Sequence, residues 1–378
     1  MSASGRGYDA VLVVSFGGPE GPDDVEPFLD NVLRGRPVPP ERRAAVAAHY
    51  HHFGGRSPIN GHNRALVSAL RSELAARGPD LPIYWGNRNW HPFLADAVGQ
   101  MAADGVRRAL AFVTSAYASY SGCHQYLDDI ARARASVGPL APEIDKLRVF
   151  YNHPGFVEAN VDALRAAAAP AAPAPAPASG ARASAPARAS GPPARASAAS
   201  GALGAPAVRV AFTAHSIPVA MAATSEYQRQ LNETARLVME RFDPAGVVPW
   251  SVVFQSRSGP LSVPWLEPDI LDHLRALAAS GEEPVIVAPI GFVADHMEVV
   301  YDLDLEAAQL ASDLGLTMAR AATAGVHPAF VTMVRQLVEE RMDPAVPKLA
   351  LGTDGPYHDV CRADCCPAPA RPAPPAGR

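Results

Sequence analysis

Short, continuous β-branched runs recur along this chain with helical stretches between them, and that alternation restricts the fold more than any other feature. In the first block, Ala10 to Val14 and Arg108 to Thr114 read as buried strands, while Asp24 to Leu33, Arg64 to Ala76 and Phe93 to Asp104 read as helices. In the second, Val208 to Thr213, Ser251 to Gln255 and Pro284 to Pro289 are strands, and Tyr227 to Phe242, Pro268 to Ala279 and Asp304 to Leu314 are helices. A strand that is apolar along its whole length is covered on both faces, which is the arrangement of a parallel sheet between helices. The expected fold class is α/β: two Rossmann-like, doubly wound parallel-sheet domains with a cleft between them.

Composition sets the boundaries. Residues 166–206 contain almost only Ala, Pro, Ser, Gly and three arginines, with Leu203 as the single large apolar side chain. Such a segment cannot bury enough surface to offset its ordering entropy, so it reads as a disordered insertion. The expected organisation is an N-terminal domain over 1–165, the insertion over 166–206, a C-terminal domain over 207–345 and a cysteine-containing tail over 346–378. The tail is expected to be disordered from Pro367 onward.

The formal net charge of −5 over 378 residues gives no electrostatic reason for nucleic acid or an anionic membrane as the main partner. No apolar run approaches the roughly 20 residues that span a bilayer, and Met1 to Ala10 carries no signal-peptide pattern. A cytoplasmic protein without integral membrane association is expected.

In open α/β sheets ligands sit at the carboxyl ends of the strands. The residues there are Ser15-Phe16-Gly17-Gly18-Pro19, Ser115-Ala116-Tyr117, His215-Ser216-Ile217-Pro218, Gln255-Ser256-Arg257 and Ile290-Gly291-Phe292. Gly17-Gly18-Pro19 lacks the G-x-G-x-x-G opening of a dinucleotide site, which disfavours a nicotinamide or flavin enzyme. His215 stands on a strand-end turn made rigid by Pro218. Beyond Gly291, helical spacing puts Glu298, Asp302 and Glu306 in one row at i, i+4 and i+8. The row reads either as a solvated acidic face or as a path for a divalent cation and for protons.

Five ordered stretches carry a resemblance. Phe16-Gly17-Gly18-Pro19, Gly54-Gly55-Arg56-Ser57-Pro58, Thr213 to Pro218, Gln255-Ser256 with Pro264-Trp265-Leu266, and Pro289 to Glu298 resemble the ferrochelatase motifs, from about Tyr8 to Met342. The resemblance implies a porphyrin held in the cleft and ferrous iron as the second substrate, with His215 as the metal-site histidine and Glu298 as its partner carboxylate. Asp302 and Glu306 then form a metal or proton path. It also implies porphyrin contacts at Ser57 and Tyr126. Phe16 stands where some bacterial members carry a tyrosine that ligates product iron, so His215 becomes the natural axial ligand. Arg34 and Arg36 are expected propionate partners on charge alone, because guanidinium binds carboxylate in a bidentate fork.

The spacing of Cys123, Cys361, Cys365 and Cys366 leaves a zinc site or idle thiols open, since the paired C-x₂-C spacing of zinc sites is absent. The resemblance to ferrochelatases of the high-GC bacterial branch implies that these four hold a [2Fe-2S] cluster. The same branch, together with the arginines and histidines between Arg36 and His52 in place of an apolar lip, favours coproporphyrin III over protoporphyrin IX. A handover of product to the next haem-pathway enzyme follows from such a role. A non-catalytic porphyrin or haem carrier is the alternative from another class, and the acidic row argues against it.

Overall fold

The computed structural model describes residues 7–35, 38–169, 208–260, 262–281, 284–362 and 365–368. Arg36, the expected insertion from residue 170 on, and the tail from residue 369 on lie outside them. The first half runs β1 (Ala10–Ser15), α1 (Val25–Leu33), α2 (Pro40–His52), α3 (Ile59–Arg77), β2 (Ile83–Asn87), α4 (Leu94–Ala103), β3 (Arg108–Val113), α5 (Gln125–Val137), β4 (Glu143–Lys146) and α6 (Pro154–Ala168). The second runs β5 (Arg209–His215), α7 (Val219–Ala222), α8 (Tyr227–Phe242), β6 (Trp250–Gln255), α9 (Ile270–Ser280) and β7 (Val285–Ala288). After β7, α10 (Met297–Val299) passes through a π-helical stretch, Val300–Ala307, into α11 (Ala308–Leu314), followed by β8 (Met318–Arg320) and α12 (Pro328–Met342).

Both sheets are wholly parallel and have the same order, β2-β1-β3-β4 and β6-β5-β7-β8. The connections reverse direction beside β1 and beside β5, so each sheet is doubly wound with a crevice at its switch point. Side chains alternate across each strand as the pleat requires. Val11 and Val13 face α3, while Ala10, Leu12 and Val14 face α4 and α5. In the second sheet Val210, Phe212 and Ala214 face α8, while Ala211, Val285 and Val287 face α9 and the helix after β7.

The two lobes exchange their last helices. α6 leaves the first sheet and packs on α8 and β7 of the second, and α12 leaves the second and packs on α3 and α6. As a result one apolar core runs through both lobes. Phe330 of α12, fully buried, meets Phe112 of β3 as well as Phe150 and Phe156. Arg335 of α12 donates to Glu73 of α3 at 2.9 Å. Truncating a side chain placed like Phe330 costs roughly 3–5 kcal/mol, and here the loss falls on the joint between lobes.

Two readings change at the boundaries. Ala166 to Ala168 continue α6, because their alanines extend a helix whose apolar face is already buried. His215 is the last residue of β5 and pairs with Gln255. Several elements carry weak sequence signals: α2 buries only Ala47, and β4 reads Glu-Ile-Asp-Lys at a sheet edge.

Candidate active site

The carboxyl ends of both sheets open on a cleft of about 1400 Å³ between the lobes. That exceeds the roughly 300–1,000 Å³ of sites for drug-sized ligands. Its second-lobe wall is built by close backbone approach. Gly291 donates to Thr213 O at 3.0 Å, and a Cβ on Gly291 would lie 2.5 Å from Ala214 Cα. Only glycine lets the loop after β7 lie across the end of β5, and this brings Glu298 to His215.

His215 Nε2 and Glu298 Oε2 are 3.5 Å apart. His215 Nδ1 hydrogen-bonds Ser216 O at 2.5 Å, which puts a proton on Nδ1 and turns Nε2 toward the carboxylate. Tyr227 holds the strand end by donating to His215 O at 2.9 Å. Burial alone would lower the imidazole's pKa, but the Glu298 carboxylate outweighs it and raises it. Burial likewise works against ionised Glu298, and His215 overcomes it, holding the carboxyl at about 2. The result is an imidazole and a carboxylate that each favour the other's charged form and are open to the cleft, with His215 30% and Glu298 47% exposed.

Asp302 is the next acid on the row. Burial pushes its carboxyl up to about 7, and the charges of Glu298 and Glu306 add to the rise. Ser256 donates its hydroxyl to Asp302 and does so from a left-handed backbone, φ +62°, that a non-glycine residue adopts at a cost. Glu306 is also raised, by burial and then by Asp269. The π-helical stretch carries Asp302 and Glu306, so the row follows i→i+5 backbone bonding there rather than the α pattern expected from the sequence.

The first-lobe wall holds the other expected residues. Ser57 is buried and packs against Gly18, where a Cβ would come within 2.6 Å of the serine. Tyr126 is buried on α5 under the Arg88 guanidinium, 4.9 Å from the ring centroid, and Phe16 lies 5.8 Å from the same guanidinium. Arg34 lines the cleft and donates to Asn31 at 2.5 Å. Sequence reasoning missed Arg88, which is paired with Asp129 at 3.0 Å. It follows β2, so the rule that inspects strand ends would have found it had Ile83–Asn87 been read as a strand. It also missed α2, which crosses the cleft mouth: His49 stacks on Tyr301 at 3.6 Å, and Arg42 donates to Arg257 O at 3.3 Å.

The four cysteines converge behind the first-lobe wall. Cys123 lies in a π-helical turn, Tyr120–His124, and its Sγ is 3.9 Å from that of Cys361; Cys365 and Cys366 are 3.8 Å apart. Cys366 takes a left-handed φ of +56°. The hydrogen bond from Cys361, helped by Lys146 and opposed by burial, draws the Cys123 thiol down to about 5. His358, which the sequence did not single out, brings Nε2 to 3.6 Å from Cys365 Sγ.

Comparison with known proteins bears on the family of the chain. A ferrochelatase of Rhodopirellula baltica is 51% identical over 360 residues, 95% of this chain and 93% of that protein. Proteins named coproporphyrin III ferrochelatase from Streptomyces coelicolor and Mycolicibacterium smegmatis are 48% and 47% identical, over 97% and 92% of this chain and 95% and 94% of their own lengths. The solved structure of SirB from Bacillus subtilis with Fe³⁺ superposes with a TM-score of 0.51 at 12% identity, over 88% of this chain and 97% of SirB, a likeness of fold alone. The sequence profile of the ferrochelatase family matches residues 8–342, from before β1 to the end of α12, and the chain belongs to that family.

Proposed function

We propose that this protein inserts Fe²⁺ into coproporphyrin III, releasing two pyrrole protons and yielding the iron complex of that porphyrin. The carrying observation is the facing pair of His215 and Glu298 in a cleft large enough for a macrocycle. Iron(II) accepts imidazole and carboxylate ligands, and a neutral imidazole also accepts a proton near neutral pH. In this reading Fe²⁺ arriving at Glu298 withdraws the charge that stabilises the imidazolium. His215 then gives up its proton toward Asp302 and becomes the base for a pyrrole N–H. Asp302 and Glu306 lead iron inward and protons outward, while Ser57, Tyr126 and Phe16 hold the macrocycle on the other wall.

The choice of porphyrin rests on charge. Among the described residues Arg34 and Arg42 line the cleft without an ion-pair contact to a carboxylate, which suits the more carboxylated coproporphyrin III, though Arg42 acts on Glu298 through its charge; the expected partner Arg36 lies outside the described residues. Anaerobic incubation with Fe²⁺ and either porphyrin, followed by loss of free-porphyrin fluorescence, is expected to give a kcat/KM higher for coproporphyrin III by roughly tenfold or more, the equivalent of one charge-assisted hydrogen bond. Preference for protoporphyrin IX would shift the substrate assignment, and turnover with neither would defeat the reading.

A carboxyl titrating at about 7 is half protonated at neutral pH and exchanges protons readily in both directions. Asp302→Asn is therefore expected to lower kcat and to remove the limb near pH 7 from the pH–rate profile. Because burial raises this carboxyl above its unfolded value, ionising it opposes folding. Wild-type stability should therefore fall between about pH 4 and pH 7, and the variant should lack that decline in urea titrations.

The reading includes a [2Fe-2S] cluster held by Cys123, Cys361, Cys365 and Cys366. Two thiolates on one tetrahedral metal at about 2.3 Å lie roughly 3.8 Å apart, and the two cysteine pairs stand at 3.9 and 3.8 Å. The left-handed Cys366 turns its sulfur to the side of Cys365, which adjacent residues in extended backbone do not do. When bound, the cluster supplies a fixed cross-link between the Tyr120–His124 turn and the tail. The four thiolates need a reducing setting, which supports a cytoplasmic location, with product passed to the next haem-pathway enzyme.

A further inference from the structure

The cysteine centre has a fifth donor. His358 Nε2 is 3.6 Å from Cys365 Sγ, and the donor atoms of His358, Cys361 and Cys365 all lie within 4.8 Å of one another. An imidazole nitrogen and a thiolate bound to one tetrahedral ion, at about 2.0 and 2.3 Å, are separated by roughly 3.6 Å. His358 and Cys365 already stand at that separation. His358 is exposed and Cys361 and Cys365 are partly so, which leaves an ion access from solvent, while the Tyr357 ring, 3.9 Å from the imidazole, supports it beside Cys365. A four-cysteine cluster does not use this histidine.

We propose that His358, Cys361 and Cys365 form a mononuclear site for a soft divalent ion, Zn²⁺ or Fe²⁺, with its fourth position open to water or a neighbouring thiolate. One imidazole and two thiolates are the donor set that selects such an ion in tetrahedral geometry. Binding deprotonates the two thiols and releases two protons to solvent, with no change of oxidation state. The ion shares Cys361 and Cys365 with the cluster, so the two occupants exclude each other. The centre therefore has two metallated forms, one requiring Cys123 and sulfide and one requiring His358 and neither of those.

The test uses the full chain, stripped of cluster anaerobically with reductant and chelator and titrated with Co²⁺ as a spectroscopic stand-in. Cobalt at His215 and Glu298 has no sulfur ligand, so thiolate-to-cobalt charge transfer reports the cysteine site alone. The wild type is expected to develop that band with one equivalent of Co²⁺. His358→Ala should weaken the cobalt affinity by roughly tenfold or more, since even partners of metal ligands contribute 10- to 100-fold, and His358→Asn should behave alike at this exposed position. Cys123→Ser should keep the band while losing the capacity to assemble two irons and two sulfides. No charge-transfer band in the wild type, or unchanged affinity in both His358 variants, would overturn the proposal. Failure of the wild type to assemble a cluster from Fe²⁺ and sulfide would count against the cluster and leave the ion site standing.

Discussion

His215→Ala is expected to slow porphyrin metallation by about 10²- to 10⁴-fold, the range over which a positioned general base contributes. The side chain is reachable from the cleft, and its backbone is held by pairing with Gln255 and by the Tyr227 hydroxyl. Removing it therefore leaves the fold intact and empties one side of the proposed metal site. Glu298 then loses the charge that keeps its carboxyl near 2 and moves back up under its own burial. Iron affinity should fall together with kcat. The discriminating measurement is anaerobic turnover at saturating Fe²⁺: if excess iron restores the wild-type rate, His215 supplies affinity alone and its role as base is wrong.

Glu340→Ala is expected to destabilise the protein by roughly 3–5 kcal/mol, read from urea unfolding of the apo-protein. Arg148 donates to both carboxylate oxygens of Glu340, at 2.6 and 3.2 Å, and the side chains are 0% and 2% exposed. Most of the loss comes from leaving a guanidinium buried without its counter-charge. Replacing both partners by apolar residues, Arg148→Met with Glu340→Leu, should therefore cost much less than either truncation alone. A double variant as unstable as the single one would mean that Arg148 matters chiefly through its 2.7 Å hydrogen bond to Leu349 O, which fastens the start of the tail. The location gives the effect its reach, because Arg148 follows β4 and Glu340 lies on α12, which has crossed over from the other lobe.

The two parallel sheets, and the strand ends that bear Phe16 and His215, were legible in sequence because strands covered on both faces must be apolar throughout. Glu298, Asp302 and Glu306 were legible as neighbouring acids from their four-residue spacing, and the charges of Glu298 and Glu306 do act on Asp302, whereas the π bonding between them was not legible. The exchange of α6 and α12 was not legible. Nothing in Pro154–Ala168 marks which sheet its apolar face will cover, since both sheets offer the same chemistry. Arg88 escaped because Gly86 and the half-buried Tyr84 and Trp85 dilute the strand pattern of β2. His358 escaped although it stands only three residues before Cys361 and seven before Cys365, because spacing rules for paired cysteines do not test for a mixed imidazole and thiolate set.

The turn at Tyr120–His124 looks two ways. Ser121 and Gly122 line the porphyrin cleft, while Cys123 between that pair and α5 faces the tail. Its shape is set locally, by Gly122 donating to Ser119 Oγ at 3.0 Å and by Gly122 lying so close to the Ser115 hydroxyl that a Cβ would force it to turn away. The two faces thus belong to one five-residue turn. For the proposed metal centre, thermodynamic linkage imposes a symmetry: by whatever factor metal at the cysteines would change the affinity for porphyrin, porphyrin would change the retention of that metal by the same factor. In the protein loaded as proposed, iron retention at the cysteines and the hold on the macrocycle would be two readings of one coupling through this turn.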